Sequence, residues 1–253
     1  MTARVSRTWG AGCAIVLLLV CWQCTSEVFP DVLVPSPRQT FTALIELART
    51  GELFTTAIST IVRAAAASVI AIVVGIGAGW AASSSSALSG VIAVIRGIGV
   101  GIPPVVVAVL AMLWWGADGR VAVAVAALVL FPVVASAAQS AFVHAPRELI
   151  DMGKAFNLPR FTVFRTITTR LVSAEIGAAS RVVASSSLRV VLMTEVIAVG
   201  SGIGARIAYS RSLLLTDEVF AWAVFAVGFA LAIDRLLVNR PARRAKTNIG
   251  RNE

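Results

Sequence analysis

The sequence predicts an all-α integral membrane protein with six transmembrane helices, and three observations carry that reading. Mean hydropathy is +0.87 over 253 residues, and only 14% of residues are charged against 58% hydrophobic, far from the balance of a soluble domain. The apolar residues gather into blocks of roughly 20, the length a helix needs to cross a hydrocarbon core of ~30 Å. Runs such as "ALVLFPVVASAA" lack the period-two alternation of a barrel strand, the other architecture that satisfies its backbone in lipid.

The blocks fall at about 9–25, 58–80, 87–115, 121–142, 174–199 and 217–238, within one transmembrane domain, 1–253. The first block contains or borders Cys13, Cys21 and Cys24. Val20 before Cys21 and Gln23 before Cys24 are poor neighbours for a lipoprotein cleavage site. No Cys or His pair elsewhere has metal-ligand spacing, so neither a metal nor a cofactor is expected.

Between the first two blocks, prolines argue against a continuous helix at the start of "SEVFPDVLVPSPRQTFTALIELARTGELFTT". Phe41, Leu44, Ile45 and Leu47 then repeat at helical spacing until Gly51. The segment is either a short amphipathic helix on the outer surface or a solvated loop with one helical turn. "SSSS" (83–86) is a short cytoplasmic turn. The third block holds "GIGVGIPPV", where Pro103 and Pro104 remove two amide donors and bend or break the helix. Lipid tolerates such a break where neighbouring helices cover the freed carbonyls, so this span is expected to be buried in the bundle.

The fourth and fifth blocks are separated by "ELIDMGKAFNLPRFTVFRTITTR" (148–170), a polar island with six charges. Leu149, Met152 and Phe156 share a helix face, and Glu148 and Asp151 sit where the helix dipole favours negative charge. Asn157 tolerates the left-handed conformation that ends helices, and Pro159 suits the first turn of a second helix bearing Phe161, Phe164 and Ile167. Helix, sharp turn, helix is expected. The pair is either a docking surface or a hairpin that merely connects two spans.

The net charge of +9 does not signal nucleic acid, because Lys and Arg sit mainly at span ends. With the N-terminus inside, the cytoplasmic segments, including a loop at 143–173 and a basic tail at 239–253, collect twelve of them and the outer segments five. Both termini are therefore expected in the cytoplasm. Arg63, Arg96, Arg181, Arg189 and Arg235 lie within the blocks, where charge costs about 2.5–3.5 kcal/mol and calls for a partner or a task. Arg63 is expected to snorkel to the inner surface. Arg181, Ser185 and Arg189 lie toward one helix face, and Glu195 falls within about 40° of Arg181.

Four segments in order resemble the permease subunit of binding-protein-dependent ATP-binding-cassette (ABC) importers, in the nitrate, sulfonate and taurine branch. "LVPSPRQTFTALIELARTGEL" resembles that branch's outer-surface segment, and "GIPPVVVAVLAMLWWGADG" its proline-broken core span. "TEVIAVGSGIGARI" resembles its acid-then-Ser-Gly-Leu-Gly segment. In the polar island, Asp151-Met152-Gly153 stands where the family carries Glu-Ala-Ala, Asn157 where it carries Gly, and Thr168-Thr169 where Leu-Pro often follows.

The resemblance covers residues 33–238 and implies a type I ABC importer permease-like fold with a cytoplasmic coupling helix. It implies that ABC ATPase subunits dock through Asp151, Met152, Gly153, Phe156 and Asn157. A second permease copy or a sister permease would complete the pathway, and an external solute-binding protein would deliver a small-molecule solute across the bacterial inner membrane. Arg181 and Glu195 match positions where the branch carries Arg and Glu, and read as mainly architectural. The pathway candidates are Arg96, Pro103, Pro104, Arg189 and Glu195, with Arg96 and Arg189 as contacts for an anionic or zwitterionic solute.

The chain is expected to hydrolyse nothing itself. It has no GxxxxGK[ST] phosphate loop, and its single histidine, His144, completes no Ser-His-Asp arrangement. A secondary transporter would work without ATPases and usually shows an internal repeat, which is not seen here. A non-transporting scaffold of the haem-bearing respiratory type would need paired histidines.

Overall fold

The computed structural model describes residues 2–145, 147–156 and 158–238. Asn157 and the basic tail, 239–253, lie outside them. Regular structure among the described residues is helical throughout. Four helical stretches are long and apolar enough to cross a bilayer: Glu52–Ser84, Gly119–Val143, Phe161–Ser212 and Thr216–Leu236. A bent pair makes a fifth if its two limbs count as one span.

Helix α1 (Thr2–Val28) has a shorter apolar part, Cys13–Val28, and exposes Ile15 through Val20. It meets the body near its C-terminal end. There the Trp22 indole donates to the Pro35 carbonyl at 3.0 Å and its ring lies 5.7 Å from that of Phe220.

Helix α2 (Pro37–Arg49) begins with a capping box. The Ser36 hydroxyl accepts from the Gln39 amide, and the Gln39 side chain accepts from the Ser36 amide at 2.7 Å, with Pro37 at the first helical position. Of the two readings open for this segment, the helix is the one found. It turns Ala43 and Leu47 inward, while Phe41 stays exposed. Gly51, at φ 76°, then lets the chain turn directly into α3 (Glu52–Ser84).

The centre of the bundle is α6 (Gly119–Val143), packed against α3 along much of its length. Small residues make that contact close: Ala64, Ala67, Ala71, Gly75, Gly79 and Ala82 recur every three or four positions on α3 and are all buried. A Cβ on Gly75 would lie 2.6 Å from Val134 Cβ, and one on Gly79 would lie 2.6 Å from the Ala135 carbonyl oxygen. In lipid, where apolar surface gains little by avoiding the solvent, backbone approach of this kind supplies the packing energy. Pro132, inside α6, has no amide to give the Leu128 carbonyl.

Helix α4 (Ser86–Gly101) runs antiparallel to α6 through paired contacts. Gln139 donates to Ser89 at 2.9 Å, Arg96 donates to Ser136 at 3.0 Å, and a Cβ on Gly99 would lie 3.1 Å from Pro132 Cγ. After Ile102 and Pro103 the chain turns by 93° into α5 (Pro104–Trp115). The break expected at Pro103-Pro104 is present, but the expected burial is not. Only Ala108 and Ala111 of α5 are buried, while Val106, Leu113, Trp114 and Trp115 are exposed. The reason is that each limb packs by one side only, α4 on α3 and α6 and α5 on α6 and α9, and Val91, Val94 and Ile98 of α4 are exposed as well.

Helices α7 (Arg147–Ala155) and α8 (Arg160–Val163) follow. A wide π-type turn at Phe164–Thr168 carries α8 straight into α9 (Thr169–Ala198). The second helix of the island is thus the entry limb of the next long helix. Helices α10 (Ile203–Ser212) and α11 (Thr216–Val238) complete the fold. Trp222 of α11 is buried with Leu47, Leu53 and Ile203.

Candidate functional site

A buried ionic node joins α3, α9 and the turn that starts α10. Glu195 is fully buried and pairs with Arg63 at 2.6 Å; the same Arg63 nitrogen donates to the Ser201 carbonyl, and the other terminal nitrogen to the Ser201 hydroxyl, each at 2.6 Å. The Thr60 hydroxyl donates to the carboxylate at 2.9 Å and accepts from the Ile203 amide at 3.0 Å, and the Gly204 amide donates to Glu195 at 3.2 Å. Every oxygen of the buried carboxylate is therefore occupied, as its burial requires. The turn closes around it because Gly202 adopts φ 107°, and a Cβ there would lie 2.2 Å from Glu195 Oε1.

This geometry corrects the reading of Arg63. It does not snorkel, because Glu195 and Ser201 hold its guanidinium and its side chain is only 15% exposed. The partner of Glu195 is Arg63, 132 positions away, while Arg181, 14 residues earlier on α9, is exposed.

Arg63 also lines a cavity of about 1090 Å³ between α3 and α6. Asp118, Arg120 and Ser201 line it with Arg63, and Ile70, Val74, Leu128 and Phe131 supply apolar wall.

A second group of charges lies on α9. Glu175, Ala178, Val182, Arg189 and Met193 are exposed on one face of this helix, at spacings of three, four, seven and four residues, with Ser185 and Ser186 less exposed between Val182 and Arg189. Arg189, 54% exposed, is ion-paired with Asp234 of α11, 23% exposed. The contact is seated where Leu188 and Val191 pack with Phe229, Ala230 and Ile233. Arg96 makes its bond to Ser136, whose hydroxyl donates in turn to the Pro132 carbonyl at 2.8 Å. Arg96, Arg189 and Glu195 thus sit in three separate environments, with Pro103 and Pro104 at the α4–α5 bend.

In the island, α7 folds onto α8 at Gly153. A Cβ there would lie 3.0 Å from Val163 and 3.1 Å from Ile167, so the missing side chain permits the close approach. The Leu158 amide bonds back to the Gly153 carbonyl at 3.1 Å. Met152, Phe156 and Phe161 are exposed, at 49%, 73% and 71%, and Asp151 is exposed beside them. Asn157 and the side chains of Leu149 and Phe164 fall outside the described residues.

Sequence reasoning missed Asp234, and missed the small-residue face of α3. The first had no local signal, because its partner lies 45 positions away. The second was visible as Gly-x-x-x-Gly at 75–79 in an apolar run.

Long apolar helices, a proline-broken limb and charges held inside the bundle define a multi-pass helical membrane protein. The chain belongs to the family described as binding-protein-dependent transport system inner membrane component, whose model matches residues 71–243. Among solved structures it is similar to a chain of the MetNI methionine ABC transporter in inward-facing conformations, with TM-score 0.58 and 14% identity, covering 74% of this chain and 94% of that one. That likeness is one of fold. No curated protein sequence matches the chain. It is accordingly a permease subunit of an ABC importer in the inner membrane, a transport component in a family that implies ATPase subunits, a paired permease and a binding protein.

Proposed function

We propose that this subunit forms the translocation pathway for a small anionic or zwitterionic solute of the sulfonate, taurine or nitrate kind. An external binding protein delivers the solute, and a separate ATPase drives its passage. Six spans with both termini in the cytoplasm fit the charge distribution, and a second copy or a sister permease supplies the other wall. The observation that carries the reading is Arg189: a guanidinium on the exposed face of a membrane-crossing helix has no place against lipid. Arg96, beside the bend at Pro103 and Pro104, is a second cation for the same path, while Glu195 fixes the wall behind it.

The ATPase docks on the α7–α8 hairpin through Asp151, Met152, Gly153, Phe156 and Asn157. Support comes from Met152 and Phe156, which are exposed on a short hairpin whose own packing is complete at Gly153. Exposed apolar side chains on so polar a segment mark a contact surface.

The test is ATP-driven uptake by the reconstituted assembly. Arg189→Gln is expected to lower uptake at least tenfold at low solute concentration. Unchanged affinity and rate would remove Arg189 from the pathway.

A further inference from the structure

Resting on the pathway reading, the pairing of Arg189 with Asp234 narrows the class of solute. Asp234 is the only carboxylate that the structure shows bonded to Arg189 among the described residues. It comes from a different helix, α11, whose neighbouring residues Phe229, Ala230 and Ile233 pack against the apolar cluster that holds Leu188 and Val191. Without solute, the site is a neutral pair of opposite charges, both partly open to the outside of the chain.

We infer that the solute is a zwitterion, whose anionic group takes Arg189 and whose ammonium takes Asp234. The argument is one of charge. A simple anion that displaced Asp234 from Arg189 would leave the carboxylate, only 23% exposed, unpaired and the site with one net negative charge. A zwitterion exchanges one ion pair for two and leaves the site neutral. The planar, forked guanidinium suits a sulfonate or carboxylate, and the acceptor-only carboxylate of Asp234 suits an ammonium. Asp234 is thus the residue that separates zwitterions from plain anions.

The experiment compares matched probes in proteoliposomes holding the complete assembly with its ATPase and binding protein. 2-Aminoethanesulfonate is set against 2-hydroxyethanesulfonate, and glycine against glycolate, first as substrates and then as competitors. Wild type is expected to favour the ammonium-bearing member of at least one pair by tenfold or more, and Asp234→Asn to erase that preference by raising its KM while lowering that of the hydroxyl analogue. Because Asp234→Asn strips Arg189 of its counter-ion and can weaken the fold, the exchange Arg189→Asp with Asp234→Arg is made in parallel. It keeps a pair, and is expected to restore thermal stability without restoring the wild-type KM. ATP-driven uptake of the hydroxyl analogues alone, or a preference that survives Asp234→Asn, would overturn the inference while leaving the importer reading intact. No ATP-driven uptake of any probe would count against both.

Discussion

Glu195 illustrates how far a single side chain reaches in this molecule. Its carboxylate gathers Arg63, Thr60 and the Gly204 amide, so Glu195→Gln leaves the guanidinium without a counter-charge in a mostly buried place. Removing one member of a buried pair costs about 3–5 kcal/mol, and the purified protein is expected to lose thermal stability accordingly. Gly202→Ala is expected to do similar harm by a different route, through a strained φ and a clash with the same carboxylate. A melting temperature within a degree of wild type for either variant would contradict the node. The charges themselves were legible in the sequence as costly intramembrane groups, but their partners were not. Arg63 with Glu195 and Arg189 with Asp234 are joined by packing between helices distant in the chain, for which helical spacing within one segment holds no information.

Individual helices were far more readable. Apolar blocks of bilayer length fall in α3, α6, α9 and α11, and a shorter one in α1; the turn at Gly51, the break at Pro103-Pro104 and the hinge before α8 all follow from residues that punctuate helices. What a helix faces was less readable. α2 buries Ala43 and Leu47 because α11 lies beneath it, and Phe41 has no such neighbour. The α4–α5 limb lies at the surface of the single chain because each half packs by one side only, α4 on α3 and α6 and α5 on α6 and α9. The α3–α6 contact offers the sharpest test at this level. Gly79→Val puts side-chain atoms into space held by the Ala135 carbonyl and Ala138, and overpacking costs about 1–3 kcal/mol where neighbours shift, more where they are backbone. Lower yield and melting temperature are expected, whereas Gly77→Val, at a position with open space around its Cβ, is expected to have little effect. Equal behaviour of the two variants would argue against the small-residue interface.

For the whole molecule, the hairpin and the pathway must act through one body. The π-type turn joins α8 to α9 without a linker, so the surface proposed on α7 reaches the helix that carries Arg189 and Glu195 through the close packing of α7 on α8 at Gly153. Motion of the hairpin then has a direct route to the pathway wall, which a flexible connection would not give. Met152→Arg with Phe156→Glu changes only exposed side chains. It is expected to abolish co-purification of the ATPase while leaving the melting temperature of the permease unchanged; retained co-purification would move the docking surface elsewhere. The most direct measurement is solute uptake into proteoliposomes containing the permease, its ATPase and the binding protein. Uptake that requires ATP and both partners is the expected result, and gradient-driven uptake by this chain alone would contradict it.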